Sequence, residues 1–285
     1  MPELPEVETI ARALRDGGRD HPSILGRTIK DVRIFWKRTL AEPGVQVFSK
    51  RVMGQKVRDV SRRGKFVSIQ FDSEYLLFHL RMSGDLRVES GIDSNGLKAH
   101  AQKHDRLILD FTDGFRLAFN DTRKFGRAWF VQNPQTILGN LGPEPLDPVL
   151  KDRNLYTMLH SRSRQLKPLL LDQEFLAGLG NIYTDEALHL AKLHPLMNSE
   201  DITCEQARTL LKAVRSVLRE GIRRNGASID WVYRGGDFQN HFRVYQCTGK
   251  PCPVCGTPIQ RMVIGQRSTH FCPVCQPEPQ KSKTQ

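Results

Sequence analysis

The chain opens Met1-Pro2-Glu3-Leu4-Pro5-Glu6-Val7-Glu8, and these residues set both its first structural element and its first piece of chemistry. Pro5 suits the first position of a helix, where the missing N–H would have had no partner. Glu6 and Glu8 follow in the first turn, where negative charge complements the helix dipole. Val7, Ile10, Ala11 and Leu14 then recur at i, i+3, i+4 and i+7, the stripe of a helix buried along one face. Ahead of that helix stand a proline and a glutamate. A small residue at position 2 permits removal of the initiator methionine, which would leave the secondary amine of Pro2 at the terminus beside the Glu3 carboxylate. An α-amino group titrates near ~7.7–8, so a useful fraction is neutral and nucleophilic at physiological pH. Attack of such an amine on a sugar aldehyde carbon yields a cationic iminium, an electron sink for elimination. The plainer alternative is a rigid N-terminus with no chemical role.

The 285 residues are enough for two domains and a substantial core, and 39% hydrophobic content with a mean hydropathy of −0.45 describes a soluble globular protein. No apolar run approaches the ~18–20 residues of a membrane span. The acidic N-terminus has no apolar signal core, so the expected location is the cytoplasm, with no membrane partner. A net charge of +12 points to a polyanion partner, most simply nucleic acid; a merely basic protein or a binder of anionic lipid are the alternatives.

Residues 28–131 read as β-structure. Val32, Ile34 and Trp36 alternate, as do Val67, Ile69 and Phe71, and Tyr75 to Leu80 is a short apolar run. Leu107, Leu109 and Phe111 lead through Thr112-Asp113-Gly114 into Phe115, Leu117 and Phe119, a hairpin of an antiparallel sandwich or barrel. An N-terminal domain over 1–131 is therefore expected, with 90–103 as a long exposed loop. Residues 132–148 hold four prolines and two glycines and read as an interdomain linker. Over 149–226 the period becomes helical. Thr203 and Gln206 form a capping box, Leu210, Leu211, Val214, Val217, Leu218 and Ile222 an apolar face, and Asn225-Gly226 a stop. Residues 227–240 read as a loop, and the tail 277–285 as disordered.

The C-terminal metal signal is specific. Cys252-Pro253-Val254-Cys255 and Cys272-Pro273-Val274-Cys275 are two CxxC knuckles, the pattern of a closed tetrahedral four-cysteine zinc site. Closed sites are structural, so one Zn2+ is expected to hold a β-hairpin over 241–276 and do no chemistry. Of the other two cysteines, Cys204 is expected to pack at a helix start, and Cys247 is given only a weak claim on the ribbon. Between the knuckles, Arg267 could reach a phosphate or be plainly solvated. Leu176 to Glu186 places two glycines and Asn181 before a helical pattern, a junction that can hold phosphate. Asn120 to Gly126 puts Phe125 on a basic turn with Arg123, and His79 to Gly84 puts Met82 at a similar strand end. An apolar wedge with an arginine can fill the gap left by a flipped base, although a core Phe and a core Met are commoner. Lys65 reads as a phosphate ligand or a solvated charge.

Pro2 to Thr9, Asn120-Asp121 with Arg123-Lys124-Phe125-Gly126, Leu171-Asp172-Gln173, Gly178 to Tyr183 and the four-cysteine ribbon, in that order over nearly the whole chain, resemble the formamidopyrimidine-DNA glycosylase (Fpg/MutM) family. The resemblance implies an α+β multidomain fold: a β-sandwich with an N-terminal helix, a helix–two-turn–helix module over 149–226, a lesion-capping loop over 227–240 and a zinc-finger hairpin. It implies a monomer acting on damaged double-stranded DNA in base excision repair, a bifunctional glycosylase and AP lyase that removes 8-oxoguanine and formamidopyrimidines and cleaves the strand by β,δ-elimination. By motif, Pro2 is the nucleophile on C1′ and Glu3 the general acid/base. Lys65, His79, Asn181 and Arg267 are phosphate ligands, with Lys65 counted in the catalytic set. Met82 fills the void, Arg123 pairs with the orphaned cytosine, Phe125 wedges the stack, and Glu6 lies near the flipped base. The alternatives are a Nei-type (endonuclease VIII) glycosylase for oxidised pyrimidines, a branch that usually lacks the Met/Arg/Phe set, and a non-catalytic zinc-ribbon damage-binding protein. Two departures stand out: the capping loop looks a few residues short for the family, and Cys247 replaces an expected polar residue.

Overall fold

The computed structural model describes residues 1–18, 21–92, 97–228 and 235–279. The chain forms two compact units, one built from Met1–Gly139 together with Ser228 and Gly235, the other from Asn140–Ala227 and residues 236–279.

The first unit begins with α1 (Leu4–Asp16), then β1 (Ile29–Ile34), β2 (Leu40–Glu42), α2 (Val45–Val52), β3 (Asp59–Arg63), β4 (Phe66–Gln70), β5 (Tyr75–His79), β6 (Gly84–Ser90), β7 (Asp105–Phe111), β8 (Phe115–Asp121), β9 (Arg127–Val131) and α3 (Gln135–Leu138). Two sheets, ordered β1-β7-β8-β6 and β2-β9-β5-β4-β3, share one core. Leu107, Leu109, Leu117 and Phe119 face Val67, Ile69, Phe78 and Phe130 there, with the Phe78 and Phe119 rings 5.2 Å apart. Alternation along each strand supplies one inward face per sheet, which is why the sandwich forms. The stripe of α1 buries Val7, Ile10, Ala11 and Leu14 in the same core.

Two features depart from the purely antiparallel β reading of 28–131. Short α2 lies within it, burying Phe48 and Val52, with Phe48 edge-on to Phe130 at 5.3 Å. Val45, Phe48 and Val52 carry helical spacing, but eight residues are too few to stand out among strands. β2 also pairs with β9 in parallel.

The second unit holds α4 (Asp152–His160), α5 (Leu166–Leu171), α6 (Asn181–Ala191), α7 (Cys204–Arg223) and the hairpin β10 (Gln260–Ile264) with β11 (Arg267–Phe271). Thr203 caps α7 by accepting the Gln206 N–H, and Asn225 and Gly226 end it at positive φ, as the capping box and stop require. Within the stretch read as a linker, α3 forms and Leu138 is buried. Farther along it, the Arg215 guanidinium donates to the carbonyls of Pro145, Asp147 and Leu150, so this run lies against α7. In the capping loop, 229–234 fall outside the described residues, as do 280–285 of the tail.

Candidate active site

Glu3 is the residue before α1, and its N–H donates to Glu6 Oε2 at 2.8 Å. Glu6 therefore closes the first helical turn back onto Glu3. Pro2, Glu3 and Glu6 are all buried, while Met1 is exposed. With Met1 attached the Pro2 nitrogen is a tertiary amide, so it becomes an amine only after Met1 is removed. The positive end of the α1 dipole lies beside it and favours the neutral form of that amine.

Lys65 and His79 come together through strand register. Gly64 and Lys65 make the two-residue turn between β3 and β4, Gly64 at φ +56°, and Phe66 pairs with His79 across β4 and β5. The His79 ring lies edge-on to Phe66 at 4.7 Å. Burial first, then the charges of Arg81 and Lys65, push its pKa down to about 3. Its Nδ1 accepts the Arg81 N–H at 3.2 Å, which leaves Nε2 as the nitrogen that carries hydrogen.

Met82, Arg123 and Phe125 are gathered by a residue to which sequence reading assigned no role. Gly84 and Asp121 are paired at the ends of β6 and β8, so the turns beyond them leave the sheet side by side. The buried Asp121 carboxylate accepts the N–H of Arg123 at 3.2 Å and of Gly126 at 2.7 Å. It also accepts the Ser83 hydroxyl, and Ser83 Oγ in turn accepts the Arg123 N–H at 3.0 Å. One carboxylate thus clamps both turns. Phe125 is 50% exposed, unusual for a phenylalanine, and the Arg123 guanidinium lies over its ring at 5.1 Å. Met82 is half-buried. An exposed ring, a cation and a thioether thus stand on two clamped turns, the residue types an intercalating wedge requires.

In the second unit, Gln173 braces the turn between α5 and α6. Its amide donates to the carbonyls of Leu171 and Leu179 and its Oε1 accepts the Gly178 N–H at 3.0 Å, with Gly178 at φ +102°. That turn sets Asn181 as the first residue of α6, and Asn181 Nδ2 donates to the Ser268 carbonyl at 3.0 Å. Arg267, one residue earlier on the hairpin, is exposed beside it. Asn181 and Arg267 are therefore held together. Behind them Lys167, fully buried, pairs with Asp185 at 2.5 Å and donates to the Ser268 carbonyl at 2.8 Å. Asp185 also accepts the His270 N–H at 2.9 Å. Glu186 takes the backbone N–H groups of Arg243, Val244 and Tyr245 at 2.9–3.1 Å, and burial raises its carboxyl against the pull of those donors. Sequence reading assigned Lys167, Asp185, Glu186 and His270 no role; the only available signal was a lone lysine in the apolar run Leu166 to Leu171.

The four knuckle sulfurs lie within 4.8 Å of one another, with Cys252 to Cys275 at 3.9 Å and Cys255 to Cys272 at 3.4 Å. Tetrahedral zinc with Zn–S of about 2.3 Å sets sulfurs about 3.8 Å apart, so the donor set fits one closed structural zinc. Cys247 packs partly buried against this small core, while Cys204, expected to pack, is exposed.

Residues 1–128 match the formamidopyrimidine-DNA glycosylase N-terminal domain, 141–232 the H2TH domain of the same enzyme, and 249–277 the zinc finger found in FPG and IleRS. The formamidopyrimidine-DNA glycosylase of Protochlamydia amoebophila is 39% identical, over 97% of this chain and 99% of its own length. The chain belongs to the formamidopyrimidine-DNA glycosylase family. The Chloroflexus aggregans family member is 41% identical over 97% of this chain and 98% of its own. Among solved structures, Lactococcus lactis Fpg (MutM) bound to a DNA containing N7-benzyl-Fapy-dG aligns with a TM-score of 0.87 and 34% identity, over 97% of this chain and 100% of that one. The same Fpg aligns equally in complex with a DNA containing an abasic site. The fold expected for the family, a β-sandwich, an H2TH module and a four-cysteine zinc finger, is the one observed.

Proposed function

We propose that this chain is a bifunctional DNA glycosylase and AP lyase of base excision repair. It removes 8-oxoguanine and formamidopyrimidines from duplex DNA and acts as a monomer in the cytoplasm. Once Met1 is removed, the Pro2 nitrogen attacks C1′ of the damaged nucleotide and the glycosidic bond breaks, releasing the base. Glu3 donates a proton as the sugar ring opens, giving an iminium on Pro2. That cation acidifies C2′–H: loss of the C2′ proton expels the 3′ phosphate by β-elimination, and loss of the C4′ proton from the conjugated iminium that results expels the 5′ phosphate by δ-elimination. Lys65, His79, Asn181 and Arg267 hold the phosphates that flank the everted nucleotide. Met82, Arg123 and Phe125 occupy the vacated stack, which offsets an unstacking cost of a few kcal/mol. Glu6 supports the first turn of α1 next to the base. The zinc holds the hairpin that carries Arg267 and takes no part in bond making.

The observation that carries this reading is the burial of Pro2 and Glu3 at the capped start of α1, with Glu6 fixing the Glu3 backbone at 2.8 Å. Borohydride added during turnover of an 8-oxoguanine duplex should trap a covalent complex. Mass spectrometry should find the DNA on Pro2 of a chain lacking Met1. Attachment to an internal lysine would overturn the assignment.

A further inference from the structure

One side chain near the knuckles has no part in the chemistry proposed for DNA. His189, on α6, is 2% exposed, and its Nε2 lies 3.4 Å from Cys252 Sγ. Cys252 is 3% exposed, whereas its knuckle partner Cys255 is exposed. His189 therefore approaches the zinc site from the protein interior, at its buried sulfur. We propose that His189 is a positioning residue of the zinc centre, whose Nε2–H donates to the Cys252 thiolate and holds that ligand in place.

The chemistry of the two partners fixes the direction of the bond. A metal-bound thiolate has lone pairs and no hydrogen, so it can only accept. A neutral imidazole has one N–H, which must then sit on Nε2. His189 Nδ1 has no hydrogen-bond partner among the described residues. With the proton on Nε2, that orphan is a bare acceptor; with the proton on Nδ1 it would be a buried unpaired N–H, the costlier outcome. The Val254 N–H is a second donor to the same sulfur at 3.4 Å, so Cys252 receives both a local and a tertiary hydrogen bond.

Four thiolates around a divalent zinc leave the centre with two surplus negative charges. Donors to sulfur delocalise that charge and make the thiolate a poorer target for protons, oxidants and competing chelators. The tertiary donor also joins the metal to the body of the second unit. Asn181, Asp185 and His189 recur every four residues on α6 and form one seam. They meet Ser268, His270 and Cys252 in turn.

The test uses full-length zinc-loaded protein and reads zinc release to a chromogenic chelator, with alkylation of Cys252 followed by mass spectrometry. His189→Phe and His189→Met fill the space without a donor; His189→Gln places an amide N–H near the position of Nε2. Both donor-free variants should release zinc about tenfold faster or more, and His189→Gln should stay within about threefold of the parent. Alkylation of Cys252 should accelerate in the same order. Release from His189→Phe or His189→Met at the parental rate would overturn the proposal. Equal acceleration in His189→Gln and His189→Met would also overturn it, because the lost feature would then be packing and not a hydrogen bond.

Discussion

His79 shows how burial decides what a single residue can contribute. With a pKa near 3 it is uncharged at neutral pH, and with Nδ1 occupied by the Arg81 N–H it would bring to the proposed phosphate contact one Nε2–H and no charge. The same burial has a cost in acid. The unfolded chain takes up a proton on this ring near pH ~6.5 while the folded chain does not. His79 therefore contributes its full stability above that pH and loses it as pH falls toward about 3. Between pH ~6.5 and ~5 the loss is about 2 kcal/mol from this ring alone. Urea unfolding at pH ~7 and pH ~5 should show the difference shrinking by about that much in His79→Gln. A slope identical to the parent would mean that the ring is solvated in the folded state.

The elements owe their placement to buried carboxylates. Asp121, at the end of β8, is 1% exposed and accepts from the backbone of Arg123 and Gly126 and from the Ser83 hydroxyl. Asp121→Ala leaves several donors unpaired and should lower the unfolding free energy by about 3 kcal/mol in urea titration. Because both turns lose their clamp, affinity for a lesion duplex in gel-shift titration should fall by about tenfold or more, while an Asp121→Asn variant should retain part of each. Stability that falls while affinity holds would separate the clamp from the wedge. On α6, Asp185 and Glu186 do the same for the hairpin and for residues 243–245. A helix buried nearly all round would ordinarily be apolar. This one carries a polar seam because its neighbours are a hairpin and a loop whose backbone donors need acceptors.

For the whole molecule the net charge of +12 implies steep salt dependence of DNA binding. Of the proposed phosphate ligands, Lys65 and Arg267 are cations; His79 is neutral and Asn181 has no charge. Lys65→Ala and Arg267→Ala should each reduce the slope of log K against log salt by about 0.9, while His79→Gln and Asn181→Ala should weaken binding and leave the slope unchanged. Fluorescence anisotropy on a short lesion duplex across a salt series measures this directly. The sandwich has its own large core, and within the second unit Val244, Cys252, Ile259 and Cys272 form a separate small cluster at the zinc ribbon. Zinc chelation should therefore abolish DNA binding while the thermal transition of the sandwich survives; loss of both together in calorimetry would show one cooperative unit.

Features that depend on near neighbours along the chain were legible in the amino-acid order. The CxxC knuckles, the Thr203 capping box, the Pro5 helix start and the Phe115 hairpin are set within a few residues, where spacing and backbone chemistry suffice. The chemistry proposed for Pro2 and Glu3 is of the same short range, since it would need only a freed terminal amine and an adjacent carboxylate. Short α2 was hidden because its apolar residues, taken a few at a time, also suit strands. Folding in three dimensions was needed to make the parallel β2–β9 pair, the Asp121 clamp on Ser83 and the contact of His189 with Cys252. It was needed equally to join Lys167, Asp185, Ser268 and His270. These partners lie tens of residues apart. Each donor or acceptor was buried by packing around it and had to be paired with whatever the fold brought within about 3 Å, a choice that no local pattern encodes.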